Sequence, residues 1–213
     1  MNQPLLWYFA DPMCSWCWGF TPVIERIKKN YNDKLTIALV MGGLRPGMTD
    51  PITSSLRDEL FHHWRDVSKM SGASFTMQGA LPNGFIYDTE PAARAVITVG
   101  SLNPAATFLY FKAVQSAFYT QNIDVTQTDN LGHLAKQFGV NQKLFVNKFI
   151  SDDAIKMTQE HFAQTRAYGV RGFPTLTAEN AKHREVLAGG YRSFDEVKKA
   201  IDTWIVRESA LTR

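Results

Sequence analysis

Beyond Cys14 and Cys17 the 213 residues contain no cysteine. A disulfide framework is therefore excluded, and a bridge within so short a loop contributes little chain entropy. A structural zinc site needs four ligands, yet only two thiols exist, and His62, His63, His133, His161 and His183 show no ligand spacing. Adjacent His62 and His63 leave a helix in different directions. No metal is expected. Apolar runs are short: Ile37 to Met41 cannot span a bilayer, so membrane insertion is not expected. Charge of one sign is also scarce. The formal net charge is +3, and the densest basic groups, Lys28-Lys29, Lys198-Lys199 and KHRE at 182–185, are dispersed, so nucleic acid is not an expected partner. The opening MNQPLLWYFA has no basic leader, long apolar stretch or cleavage site. A cytoplasmic location is expected unless a leader has been removed.

What remains is a chain whose 45% hydrophobic content can bury a core without staples. Leu5 to Phe9, bounded by Pro4 and Asp11-Pro12, has the apolar and aromatic character of a buried strand. From Cys14 to Asn30, apolar residues recur at three and four, with Lys28-Lys29 in the last turn, which predicts a helix bent at Pro22. Lys34 to Met41 is a second strand, ended by Gly42-Gly43. A right-handed crossover makes the two strands parallel. Residues 52–168 then carry helical stripes, with Pro91 and Pro104 near starts, Asn141 and Ser151 as caps, and Gly139 and Gly169 at ends. Five or six helices are predicted there. Short strands at 174–178 and 185–187 follow, and then a helix from Ser193, with Glu196 as its capping-box partner. The expected class is α/β, with residues 1–48 and 169–213 as one unit and 49–168 as a helical insertion.

The two thiols sit between the first strand and its helix, flanked by Trp16 and Trp18, in DPMCSWCWGF. Unpaired backbone N–H groups at a helix start favour negative charge, so Cys14 is placed to react as a thiolate. Cys17, three residues on along the same face, is within reach of a mixed disulfide formed at Cys14. Oxidation, reduction and isomerisation all use such a pair. Asp11 before Pro12 reads first as a turn former, with a second role as proton acceptor for Cys17 left open.

FADPMCSWCWGF together with GVRGFPT at 169–175 resembles the DsbA-like thiol–disulfide oxidoreductases, and among them the cytoplasmic, FrnE-type proteins predicted to be disulfide isomerases. The resemblance implies a thioredoxin fold, β-α-β then β-β-α, with a helical insertion. It makes Cys14 the attacking thiol, Cys17 the resolving thiol and Pro174 a cis proline facing them. Phe173 would offer its backbone to an extended substrate, and Ser15, Trp16 and Trp18 would line the substrate surface. Expected partners are a disulfide- or thiol-containing protein or a small thiol. No cofactor is expected to be tightly bound, with glutathione as a candidate redox partner. Ser15-Trp16 between the thiols departs from the Pro-His of the strongly oxidising members. Kappa-class glutathione transferases and 2-hydroxychromene-2-carboxylate isomerases share the layout but carry serine where Cys14 stands, and they supply the alternative reading. A binding module or chaperone that kept the fold without needing its thiols is a third.

Overall fold

Alternating side chains explain how the first strand organises the molecule. In β1 (Leu5–Ala10), Leu6, Tyr8 and Ala10 face one side of the sheet and Trp7 and Phe9 the other. Both Tyr8 and Phe9 are fully buried, because the sheet is covered on both faces. The computed structural model describes residues 4–180 and 183–211. Met1 to Gln3, where the reading for a leader begins, and Lys182 of the KHRE group lie outside them.

α1 (Ser15–Tyr31) follows β1 and leads to β2 (Thr36–Met41), which pairs with β1 in parallel. Six helices come next: α2 (Ser54–Ser71), α3 (Glu90–Leu102), α4 (Thr107–Gln121), α5 (Thr128–Lys136), α6 (Gln142–Phe149) and α7 (Asp152–Ala167). The chain closes with β3 (Thr175–Glu179), β4 (Arg184–Gly189) and α8 (Phe194–Leu211). Strand order is β2-β1-β3-β4, and β3 runs antiparallel to both its neighbours. The architecture is therefore the α/β thioredoxin fold with a helical insertion.

Local chemistry sets many of these boundaries. Asn141 accepts from Lys143 and Leu144 N–H to open α6, and Ser151 accepts from Ala154 N–H to open α7. Ser193 and Glu196 form the reciprocal pair expected before α8, with Ser193 N–H donating to Glu196 Oε2 at 2.8 Å. α1 continues through Pro22 as one helix, and it begins one residue later than the periodicity predicts, with Cys14 as its cap. Residues 104–106 form a short 3₁₀ turn before α4, a feature the sequence pattern did not separate.

The outer strand β2 needs its free edge protected. α7 supplies that protection, as His161 Nδ1 accepts from Met41 N–H at 3.1 Å and Thr165 Oγ1 donates to Met41 O at 3.3 Å. Tyr168, which ends α7, sets its ring against Trp7 and Phe9 on the same sheet face. On the opposite face Tyr8 meets Phe20 of α1 and Phe111 of α4. Core side chains thus run without a break from sheet to insertion. Within the insertion Trp64, 1% exposed, is ringed by Phe61, Phe75, Phe118 and Tyr119 at centroid distances of 5.2 to 6.0 Å.

Trp64→Ala removes the centre of that cluster and leaves a cavity, so it is expected to cost about 3 to 5 kcal/mol. Urea denaturation of the two proteins, compared at matched slope, checks the value.

Candidate active site

The loop Asp11-Pro12-Met13 turns the chain from the end of β1 into α1. Its shape comes from hydrogen bonds: Cys14 N–H donates to Asp11 O at 3.1 Å, and Met13 N–H donates to Asp11 Oδ1 at 2.9 Å. Cys14 then caps α1 with extended backbone, and its carbonyl accepts from Trp18 N–H at 3.0 Å. Cys14 therefore stands at the open N–H end of a helix of 17 residues, although its thiol makes no capping hydrogen bond there. Both thiols are free.

Their surroundings differ. Cys14 keeps 5% of its surface and Cys17 none. Burial pushes the Cys17 thiol well above its ordinary range, reinforced by its hydrogen bond with Cys14 and opposed by the Asp11 backbone N–H. Tyr8 approaches Cys17 from the sheet, its own phenol raised by burial and by the two sulfurs. Cys14 Sγ donates to Phe173 O at 3.6 Å. That contact joins positions 159 residues apart in the chain. The Phe173–Pro174 peptide bond is cis, Pro174 is buried, and β3 begins at Thr175.

Phe173 is fixed from behind by a glycine. A Cβ on Gly42 would lie 2.2 Å from the Phe173 ring, so the ring rests directly on the backbone that follows β2. The other expected residues are distributed around the pair. Ser15 is half-buried in the first turn of α1. Trp16, also half-buried, stands with Tyr191 at 6.1 Å. Trp18 turns toward the insertion, stacking on Tyr119 at 6.3 Å and donating from Nε1 to Ser74 O at 3.0 Å. Among the described residues no group of three or more His, Cys, Asp or Glu is arranged to hold a metal ion. His62 instead pairs with Asp66 on the surface of α2.

Two contributors were not legible as such. Asp11 is a turn former, as its position before Pro12 indicates, but its side chain is fully buried and its second oxygen accepts from Leu44 N–H at 2.8 Å. Burial outweighs these donors and raises its carboxyl to about 6. Tyr87, between α2 and α3, donates its hydroxyl to Met13 O, directly before Cys14. Its phenol is raised by burial and then by Asp11 and Cys14. The parallel pairing of β1 and β2 would have placed Leu44 near Asp11; nothing in the sequence pointed to Tyr87.

Residues 6–202 match the family model described as the DSBA-like thioredoxin domain. The chain belongs to this DSBA-like family. A crystal structure of a candidate protein disulfide isomerase from Nitrosomonas europaea is 41% identical, superposes with a TM-score of 0.91, and covers 97% of this chain and 99% of that one. The cytosolic disulfide reductase DsbM of Pseudomonas aeruginosa is 24% identical with a TM-score of 0.79, covers 94% of this chain and 98% of its own, and is also solved with GSH. At that identity it supports the fold alone. Among curated relatives, the ClpXP adapter protein SpxH of Bacillus subtilis is 22% identical over 191 residues, which are 86% of this chain. The DSBA-like chain spans about three fifths of the length of the curated relatives it matches.

A carboxyl raised to about 6 binds its proton more tightly in the folded than in the unfolded state. The stability it contributes is complete below about pH 4 and is lost as pH rises through about 6, by roughly 3 kcal/mol at most. Carbon-detected NMR titration should place the Asp11 midpoint near 6, and denaturation at several pH values should show the decline. A midpoint near 4 would refute the burial argument.

Proposed function

We propose that the chain is a thiol–disulfide oxidoreductase or isomerase that works through Cys14 and Cys17. The observation that supports this most directly is the asymmetry of the pair: the thiol at the helix start keeps the opening to solvent, and the sealed one is hydrogen-bonded to it. Family membership agrees with redox chemistry.

In the proposed exchange the Cys14 thiolate attacks one sulfur of a substrate disulfide. A new sulfur–sulfur bond forms at Cys14, the substrate bond breaks, and the other substrate sulfur leaves as a thiolate that takes up a proton. Cys17 then loses its proton and attacks Cys14 Sγ. The mixed disulfide breaks, the second substrate thiolate leaves, and the chain holds a Cys14–Cys17 disulfide. Two electrons have passed to the substrate. Run backwards, the same steps oxidise a substrate dithiol, and attack followed by release to another substrate thiol isomerises. The nearest buried carboxyl able to take the Cys17 proton is Asp11, which acts on Cys17 through its charge and its backbone N–H.

Phe173 would align an extended substrate segment, with its backbone as an edge for pairing and Pro174 leading into β3. Trp16 and Ser15 would meet the substrate beside Cys14, and Trp18 would support this surface from the insertion side. The partner is a disulfide- or thiol-containing protein or a small thiol, and no tightly bound cofactor is needed. Glutathione is the redox partner we favour, and the GSH complex of DsbM agrees with that choice. A cytoplasmic setting fits a reductase or isomerase working against glutathione. Among the described residues no helix is long and apolar enough to cross a membrane.

Cys14→Ser is expected to abolish insulin reduction and refolding of a scrambled disulfide protein. Cys17→Ser should retain attack and accumulate mixed disulfides, seen as added mass that dithiothreitol removes. Iodoacetamide at neutral pH should label Cys14 well before Cys17. Equal activity in both variants would defeat the proposal and favour a thiol-independent role such as the adapter function of SpxH. Glutathione conjugation or cis–trans isomerisation without net redox change would favour the kappa-like alternative.

A further inference from the structure

Beginning one turn beyond Cys17 along α1, a cavity of about 210 Å³ lies between α1 and α4. Thr21, Ile24, Glu25 and Lys28 form one stripe of α1, at spacings of three and four, and face Phe108, Leu109 and Phe111 of α4. Ile24 and the α4 side chains make the wall apolar. Tyr8 also lines the cavity, and its buried hydroxyl has the Cys17 thiol beside it but no oxygen or nitrogen partner among the described residues. Thr21 is held by Gln115 Oε1 at 2.7 Å and lies 3.1 Å from Cys17 O.

The rim is charged in a particular way. Glu25 is engaged by Lys112 at 2.6 Å. The Lys28 ammonium stands 3.8 Å from the centre of the Phe108 ring; Glu25 acts on it through its charge, but the Glu25 ion pair is with Lys112. A cation laid on an aromatic wall, whose acidic neighbour is taken up by a second lysine, can receive an anion. Size limits the rest of the ligand, because an apolar cavity of about 150 Å³ takes benzene. The available volume here holds one ring and a short tail.

We propose that this cavity binds a small monocarboxylate with a single ring or a short branched chain, its apolar part between Ile24 and the α4 side chains and its carboxylate on Lys28. The polar floor of Tyr8 and Thr21 sets the ligand one side chain away from the buried thiol. The site is separate from the surface where Phe173 and Trp16 flank Cys14, so its occupancy does not depend on the redox proposal.

Calorimetric titration of the full chain with 3-phenylpropionate and with 3-phenylpropan-1-ol tests it. The acid should bind saturably at one site, about fivefold more tightly than the alcohol, the upper end for an ion pair open to solvent. Lys28→Gln should remove that fivefold preference and leave the alcohol unchanged. Leu109→Trp, at a position 58% exposed, should plug the mouth and abolish binding of both. Amide shifts in the unmodified protein should centre on residues 21–28 and 108–111, a readout independent of whether the variants fold. Absence of saturation with the acid, equal affinity for acid and alcohol, an unaffected Lys28→Gln variant, or shifts centred elsewhere would each overturn the proposal.

Discussion

A carboxylate without access to water holds the site's backbone together. Asp11 receives Met13 N–H on one oxygen and Leu44 N–H on the other, tying the approach to α1 to the segment that follows β2. Each of these segments then positions something else. Met13 leads into the helix cap at Cys14, and Gly42 provides the floor on which the Phe173 ring rests. Leu44 N–H left without its acceptor would be a costly orphan, as would a sealed carboxylate without donors. A residue just past the end of the first strand thereby sets the relation between thiol and proline loop, although those lie 159 residues apart.

The insertion is part of the same construction. Tyr87 reaches across to Met13 O, and Trp18 crosses the other way to Ser74 O and the Tyr119 ring. Tyr119 in turn packs against Trp64, Phe75 and Phe118, so the aromatic cluster of α2 and α4 backs the first turn of α1. Packed aromatic cores change shape reluctantly. The consequence is a rigid seat for the thiol pair, in which sheet and insertion contribute from opposite sides. Three phenols buried near the sulfurs, Tyr8, Tyr87 and Tyr119, all have their ionisation suppressed first by burial. They stay neutral, Tyr87 donating to Met13 O, and leave Asp11 as the buried oxygen acid of the site whose carboxyl is raised to about 6.

Legibility in the sequence followed the range of the interactions involved. Caps such as Asn141, Ser151 and the Ser193–Glu196 pair act over three residues, and the helices they open lie where periodicity puts them. The parallel pairing of β1 and β2 followed from handedness. Asp11 was half legible, since its turn to Met13 is local while its bond to Leu44 requires the sheet. Tyr87 was not legible at all: its partner is 74 positions away and no periodicity links them. Trp18 reads equally well as substrate surface or packing from its neighbours alone, and only the position of Ser74 shows that its indole N–H has a partner inside the protein.

The contact between Cys14 Sγ and Phe173 O carries a consequence for how a thiolate and a substrate meet. In the neutral thiol, the sulfur donates and the carbonyl accepts, at 3.6 Å. Once the proton leaves, the carbonyl has lost its donor and faces an anion, an arrangement that favours any new N–H brought to it. An extended peptide supplies such an N–H every second residue along one edge. Cys14 stands at the N-terminus of α1, and the Phe173 carbonyl beside it is the acceptor left for an incoming strand. In the proposed exchange, therefore, ionisation of the thiol and preparation of the docking edge are one event, and the small opening left at Cys14 suffices because a substrate arriving along Phe173 is already directed to the sulfur.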